Sequence, residues 1–556
     1  MRIEERFIEA VKTYPENIAL YSEQEGSITY NELDEYSNYI AGFIDRNIND
    51  TETFIGVLIN RSFKMIAVLL GVMKAGKAYV PFDPMYPDER VKIMAKRSGV
   101  NIILTDFGER KPIDNVSFLP IENEEIQTSI YNNNCIKAEE ACMLFTSGSS
   151  GTPDCVQLTH DSILNTLTWA IEFYKLSAQD IALQIPSCSF TSSVQDIFST
   201  LLSGGALVVI QEDDLLNVKR LVKISKKYGV THFDMVPSLY NEYLKYLDHS
   251  SLRFVLLAGE PLAVSLASRH YERMPEVTLV NEYGMAESSS CFSYFIVPDK
   301  VDKIFIGKPI NNMSYFIDNV DDNKIGELVI SGPGVAKGYY SNQELTNRKF
   351  VIHNGQRFFY TGDLVREREG GILEYIGRID RQIKINGKRI ELKEIENFLL
   401  KGDYVENCIC TSMKIFEKEQ IVLFYIGQKT ENVIRNIIKK YFPEHYVPIY
   451  IKKKQKFDYL PNRKIDVKKL CEKAMSDISK SQQEFMDEEI IEMLKKYTII
   501  DSNFSIDAEL KCFIDSLKFI KFLSDIEVRY SKEFDYDEIL QMKYISVRNI
   551  LNILRN

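Results

Sequence analysis

Phe54-Ile55-Gly56-Val57-Leu58-Ile59 is a short apolar run rich in β-branched residues, and after it the apolar spacing changes to a helical period through Met65 to Met73. A strand feeding directly into a helix is the repeating unit of parallel sheets, whose neighbouring strands need a crossover connection. The same switch recurs at Ala206-Leu207-Val208-Val209-Ile210, followed by helical sequence from Leu216 to Tyr228. Alternation of this kind continues to about residue 375 and predicts parallel sheets covered by helices. From about 326 to 365 the pattern becomes strands and glycine turns, as in Gly326-Glu327-Leu328-Val329-Ile330 and Ser331-Gly332-Pro333-Gly334, which predicts a small β-subdomain. Residues 381 to 475 are basic and α+β in character. Within them, Lys452-Lys453-Lys454-Gln455-Lys456 reads as a solvated face.

The whole chain of 556 residues is long enough for three or four structural units. Its 45% apolar and 26% charged residues, with a mean hydropathy of -0.18, are those of an ordinary globular protein. A net charge of -11 disfavours a dedicated nucleic-acid surface, which needs clustered positive charge. No run approaches the roughly 18 apolar residues that span a bilayer. The charged start, Met1-Arg2-Ile3-Glu4-Glu5-Arg6-Phe7, is unlike a signal peptide. Nine cysteines, odd in number and irregularly spaced, fit a reduced, cytoplasmic protein.

Past Lys473 the composition turns polar over 476–483, which predicts a linker. From Ser481 to Asn556 there are 15 acidic and 10 basic residues. Phe485, Ile490, Ile491 and Leu494 fall on one helical face, and Leu517, Ile520, Leu523 and Ile526 on another, so an acidic helical bundle is expected.

Four stretches carry chemistry. Leu144-Phe145-Thr146-Ser147-Gly148-Ser149-Ser150-Gly151-Thr152-Pro153 follows an apolar strand with small and hydroxylated residues, which let backbone and hydroxyl donors approach an anion. It lacks the Gly-Lys-Ser/Thr of a Walker loop. In Asn281-Glu282-Tyr283-Gly284-Met285-Ala286-Glu287-Ser288, expected after a strand at 277–280, a tyrosine face can stack on a nucleobase and a carboxylate can ligate Mg²⁺. Phe359-Tyr360-Thr361-Gly362-Asp363-Leu364, then Tyr375 and Gly377-Arg378-Ile379-Asp380, offers a carboxylate to ribose hydroxyls and an arginine to ribose or phosphate. Leu460-Pro461-Asn462-Arg463-Lys464 ends in a lysine that can act as a point charge on an anion. Taken singly, each is also what an ordinary surface turn looks like.

Their order and spacing resemble the adenylate-forming enzymes, and within them the adenylation domains of nonribosomal peptide synthetases, over about residues 5 to 470. Thr29-Tyr30-Asn31-Glu32-Leu33, Lys74-Ala75-Gly76 continuing to Pro84, Leu201-Leu202-Ser203-Gly204-Gly205 and Lys388-Arg389-Ile390-Glu391-Leu392-Lys393-Glu394-Ile395-Glu396 add to the match. In the tail, Ile514-Asp515-Ser516-Leu517 resembles the start of the modified helix of a peptidyl or acyl carrier domain, although Phe513 stands where that family has glycine.

The resemblance implies an α/β and α+β multidomain protein. Residues 1–379 would form a large core of two parallel-sheet subdomains and a small β-barrel-like subdomain. Residues 380–475 would form a mobile lid, 476–483 a linker and 484–556 a four-helix carrier. It implies ATP, Mg²⁺ and 4′-phosphopantetheine as cofactors. A carboxylate would be activated as acyl-adenylate and passed to the pantetheine thiol on Ser516. Lys464 and Thr146 would serve catalysis. Thr146, Ser147, Gly148, Ser149, Ser150, Gly151, Gly259, Asn281, Tyr283, Asp363, Tyr375 and Arg378 would bind nucleotide, Glu287 would ligate the metal, and Asp380 would begin the hinge. Expected partners are the acid, a phosphopantetheinyl transferase and downstream enzymes acting in trans, with neither nucleic acid nor membrane.

The family's acyl pocket maps onto Thr191, Ser192, Gln195, Ser238, Leu256, Ala258, Glu282, Ser290 and Cys291. Thr191 stands where most relatives that activate α-amino acids have the aspartate that pairs the α-ammonium, and a hydroxyl supplies no such charge. Either Glu282 receives an amine displaced from the α-carbon, or it hydrogen-bonds a polar group of an aryl or hydroxy acid. Relatives also commonly carry lysines where Thr152 and Asp154 stand, and an arginine at Tyr360. A catalytically silent scaffold with a carrier, and an aryl or acyl-acid ligase, are the competing readings.

Overall fold

In a computed structural model, the described residues are 1–106, 113–121, 137–148, 151–215, 217–247, 251–379, 382–385, 387–415, 418–458, 465–495, 497, 510, 516–530, 539 and 545–555. For 418, 479–489, 492, 516–517, 524, 527–530, 552 and 554–555 this covers the backbone only. Ser149, Ser150, Leu216, Asp380 and Lys464 lie outside the described residues. The chain divides into two compact units, one of residues 1–412 and 419–454, the other of 413–418 and 455–556.

Two large sheets dominate the first unit. One has strands of increasing apolarity toward its middle and runs, in spatial order, Gly338–Tyr339, Asp154–Thr159, Glu140–Thr146, Ala78–Pro81, Phe54–Leu58, Ile102–Thr105 and Ser117–Pro120. The opening stretch of the sequence is thus a central strand, parallel to both neighbours and buried beyond its first residue. Its following helix, Phe63–Lys74, is buried over eleven of its twelve residues because it packs inside the molecule, with Ser62 capping the Met65 N–H. At Gly71 an added Cβ would lie 2.6 Å from Ile40, so glycine is what lets this helix approach Tyr30–Asn47.

The second large sheet places the parallel strands Ile18–Ser22, Ala206–Val209, Ile181–Gln184, His232–Met235, Phe254–Leu257 and Thr278–Met285 side by side, with antiparallel strands at both edges. Its crossover helices include Thr191–Leu202, Val218–Tyr228 and Pro237–Leu244. The strand expected at 277–280 extends to Met285, so the Asn281–Met285 motif lies within a strand rather than after one. Its partner Ser290–Val297 supplies the pairing that extends it.

Residues 314–378 form an antiparallel sheet of Ser314–Asp318, Ile325–Ser331, Gln356–Arg368, Phe350–His353 and Ile372–Arg378, in place of the predicted β-subdomain and a little longer than it. The hairpin Gln382–Ile385 with Lys388–Glu391 and the helix Leu392–Lys401 then lead into a sheet of Asn407–Ile415, Lys418–Ile426 and Tyr450–Lys453. The α+β reading of this region therefore matches its described elements.

In the second unit, the helix Val467–Leu494 runs through 476–483. The polar stretch expected as a linker is helical because serine, aspartate, lysine and glutamine tolerate helical geometry and neither glycine nor proline interrupts them. Ser516–Tyr530 and Val547–Arg555 are helices as well. Their cluster buries Ile490, Leu494, Phe519, Phe522, Leu523 and Ile526. Ile520, expected inside, is 39% exposed. Two apolar stripes compete on that helix, and the one carrying the larger Phe519 and Phe522 faces inward. Among the described residues no helix is long and apolar enough to cross a membrane, and the described cysteines are free.

Candidate active site

The strand Glu140–Thr146 ends in the Ser/Gly loop and returns antiparallel as Asp154–Thr159, with Thr146 opposite Asp154. A Cβ on Gly148 would come within 2.0 Å of the Thr152 carbonyl oxygen, so the tightness of this turn demands glycine there. Ser147 Oγ is shielded from solvent without a hydrogen-bond partner among the described residues. Asp154 Oδ1 accepts from Arg97 Nη2 at 3.0 Å and Asn342 Nδ2 at 2.9 Å. Burial raises the Asp154 carboxyl above its ordinary value despite those donors.

Thr146, Ser147 and Glu287 line one cleft of about 440 Å³, together with Arg348, Lys349, Arg378 and Arg389. Glu287 is fully buried. Its Oε1 accepts from Tyr339 Oη at 2.7 Å, and Arg389 Nη1 reaches both carboxylate oxygens at 3.1 and 2.9 Å. Burial pushes Glu287 up, but Arg389 and Tyr339 outweigh it and hold the carboxyl below its usual value. One ionised carboxylate beside a phosphate-sized cleft is the hard-oxygen donor set that Mg²⁺ takes, since that ion keeps waters and substrate phosphates as its other ligands. An ion held there would compete with Arg389 for the Glu287 oxygens. Arg389 sits in the quoted Lys388-Arg389 stretch, but nothing in the sequence pairs it with Glu287.

Asp363 and Arg378 stand opposite each other on adjacent strands, with Arg378 Nη1 2.7 Å from Asp363 Oδ1. Tyr283 donates its hydroxyl to Asp363 Oδ2. The ring of Tyr375, 38% exposed, lies 6.4 Å from that of Tyr283. Residues far apart in sequence therefore meet at one carboxylate. Asn281 turns its side chain to the Phe305 carbonyl at 2.8 Å. Gly259, at φ +85°, lies against the turn of the hairpin, where its Cβ would come 3.2 Å from Gly387 Cα.

The acyl-pocket positions separate into groups. Ser192, Gln195 and Leu256 line a narrow cavity of about 10 Å³, room for one water, with Tyr174, Asp196, His232, Asp234 and Phe254. Glu282 is buried beside it, taking Tyr174 Oη at 2.6 Å and Gln195 Nε2 at 3.1 Å. Burial raises its carboxyl, against the donors Tyr174, Gln195 and Cys291. Thr191 is the first residue of the helix Thr191–Leu202, a position that directs Ser192 and Gln195 onto one side. Ser238 instead engages Glu260 through its N–H at 2.9 Å and its hydroxyl at 3.1 Å. Ala258 is half-buried, Ser290 pairs with Met285, and the buried Cys291 thiol meets the Ser293 carbonyl oxygen. Asp196 and Asp234 were not expected. Burial raises both, and each feels the Glu282 charge. Their sequence signal, acids within otherwise apolar core elements, is visible only once those elements are known to be buried.

Among known proteins, the model of the family described as AMP-binding enzyme matches residues 7–340. Bacitracin synthase 3 of Bacillus licheniformis is 36% identical over 501 residues, covering 87% of this chain and 8% of that protein. Gramicidin S synthase 2 of Brevibacillus brevis is 32% identical over 489 residues, covering 84% and 11%. The chain thus spans about a tenth of the length of these curated relatives. By structure it is similar to NpsA-ThdA, an artificially fused adenylation-PCP di-domain from Klebsiella oxytoca (TM-score 0.73, 23% identity, 81% of this chain and 93% of that one). It is also similar to holo-PA1221, an NRPS protein containing adenylation and PCP domains (TM-score 0.75, 22% identity, 85% and 84%). Those likenesses show the fold alone, and the family match leads to one conclusion: the chain belongs to the AMP-binding enzymes.

Proposed function

We propose that this chain activates a carboxylic acid with ATP and passes the acyl group to the thiol of a carrier domain formed by residues 484–556. The observation that carries the first half is the meeting of Thr146, Ser147, Glu287 and Arg378 around one cleft, with Asp363 and Tyr283 next to it. A carboxylate oxygen of the acid attacks the α-phosphorus, the bond to the bridging oxygen breaks, and pyrophosphate leaves. Thr146 and Ser147 donate to phosphate oxygens, Asp363 accepts from the ribose hydroxyls, and Lys464 offsets the charge as the two anions approach. Glu287 would hold Mg²⁺, which neutralises phosphate charge when bound. In the second half AMP is the leaving group and the thiol loses its proton. Ser516 stands at the first position of the helix Ser516–Tyr530, where a carrier would bear 4′-phosphopantetheine, the group that supplies that thiol. Residues 380–475 act as the lid and Asp380 as its hinge.

The substrate follows from Thr191 and Glu282. With no aspartate at 191, the acid we favour bears its amine away from the α-carbon, where Glu282 receives it. The acid, a phosphopantetheinyl transferase and downstream enzymes acting on the carrier are the partners this reading requires. A catalytically silent scaffold is the second reading, favoured by the carboxylate of Asp154 at the phosphate loop.

Acid-dependent release of pyrophosphate tests adenylation, and the scaffold reading predicts none. For the carrier, the chain is incubated with coenzyme A and a phosphopantetheinyl transferase and its intact mass recorded. One pantetheine adduct, absent from Ser516→Ala, is expected; an adduct retained in that variant contradicts the assignment.

A further inference from the structure

The loop 146–154, Thr-Ser-Gly-Ser-Ser-Gly-Thr-Pro-Asp, carries no cation and one anion. Three nearby arginines are committed elsewhere: Arg97 to Asp154, Arg389 to Glu287 and Arg378 to Asp363. A triphosphate entering this cleft brings several negative charges, and hydroxyl and N–H donors alone match them poorly.

Three further cations line the cleft: Lys393, and Arg348 and Lys349 at the end of the helix Gln343–Lys349. Arg348 is exposed toward it and makes no ion pair among the described residues. Lys349 Nζ donates to the Tyr360 carbonyl oxygen at 3.2 Å, and its charge helps hold the Glu287 carboxyl down. The helix is tethered to the phosphate loop by its own cap. Asn342 Oδ1 accepts the Leu345 N–H at 3.2 Å while Asn342 Nδ2 donates to Asp154 at 2.9 Å. Asp154 thus stations the helix, and Ser147 Oγ stands unpartnered on the opposite wall.

From this arrangement we propose that Arg348 and Lys349 bind the β- and γ-phosphates of ATP, and pyrophosphate, in place of cations on the loop itself. The proposal rests on the adenylation reading for the identity of the nucleotide, but the site is defined by its anion chemistry. Arg348 presents a planar fork suited to two phosphate oxygens, and Lys349 a point charge between phosphate and Glu287.

The test is calorimetric titration of the full chain with Mg·ATP, with Mg·pyrophosphate and with AMP, none of which needs the acid to be known. Arg348→Ala and Lys349→Ala should each weaken ATP and pyrophosphate by about tenfold while AMP stays within about twofold, and Arg348→Lys should recover most of the loss. Where the chain also catalyses acid-dependent pyrophosphate exchange, the same variants raise KM for ATP and pyrophosphate with kcat little changed. Equal affinity of wild type and both alanine variants overturns the proposal. So does a parallel loss of AMP binding, which would report a disturbed cleft, or failure of the wild type to bind either polyphosphate. Arg348-dependent pyrophosphate binding by a chain silent toward every acid would leave this site standing while the adenylation reading fell.

Discussion

On the proposed reading, one buried carboxylate, Glu282, would decide what acid the pocket admits. It already accepts from Tyr174 and Gln195, and burial raises its carboxyl, so its charge is maintained only with help. A ligand ammonium would add that help, and a neutral ring would not. Glu282→Gln keeps the shape and the Tyr174 contact while removing the charge. Competition between an ω-amino acid and its deaminated isostere should then shift by about tenfold or more toward the isostere. Unchanged selectivity in that comparison would remove the displaced-amine reading. Motif position alone grouped Glu282, Gln195 and Ser192, which the structure places together. Ser238 was not resolvable in that way, because its bond to Glu260 depends on a neighbour 22 positions away.

Among the elements, the helix Ser516–Tyr530 shows how a periodic pattern can be right about type and wrong about face. Sequence spacing places Leu523 and Ile526 inside, and both are fully buried. The same spacing puts Ile520 inside, where Phe519 and Phe522 take the space instead. Phe522→Ala should cost about 3–5 kcal/mol as a large buried ring is lost, and Ile520→Ala well under about 1 kcal/mol. Proteolysis of the 455–556 unit within the intact chain reads the difference; equal sensitivity of the two variants would reverse the assigned face. The strand Phe54–Leu58 and its helix were legible for the opposite reason: a central parallel strand is apolar on both faces, so no face has to be chosen. The helix through 476–483 was not legible, because a polar composition reports solvation, while helicity there needs only that nothing interrupts it.

For the whole molecule, stability depends on histidines kept neutral inside it. Burial pulls His232 down to about 4 and His160 to about 3, each from the usual 6.5. The depressed folded-state values mean that the unfolded chain binds protons first as pH falls. Stability from these groups is complete above about pH 6.5 and is lost as pH falls from there to about 4 for His232, by about 3 kcal/mol, and to about 3 for His160. The thermal midpoint should therefore fall steadily from pH 7 to pH 4.5, and less steeply in His232→Gln; identical slopes would place the acid sensitivity elsewhere. None of this is legible in the sequence, since a histidine's burial is a property of the assembled sheet.

The fold, and the grouping of Thr146, Ser147, Glu287 and Arg378 around one cleft, were mostly readable because these residues lie in ordered local motifs. Arg389 and Asp234 were not, since each acts on a carboxylate brought in from a distant segment. The central claim, that the cleft of Thr146, Glu287 and Arg378 adenylates an acid, is tested most directly by carboxylate-dependent exchange of labelled pyrophosphate into ATP. Across a panel of α-, β-, ω-amino, aryl and hydroxy acids, the chain should exchange with an acid whose amine is displaced from the α-carbon, and Lys464→Ala should suppress that exchange. Silence across the whole panel by a folded chain would contradict the claim.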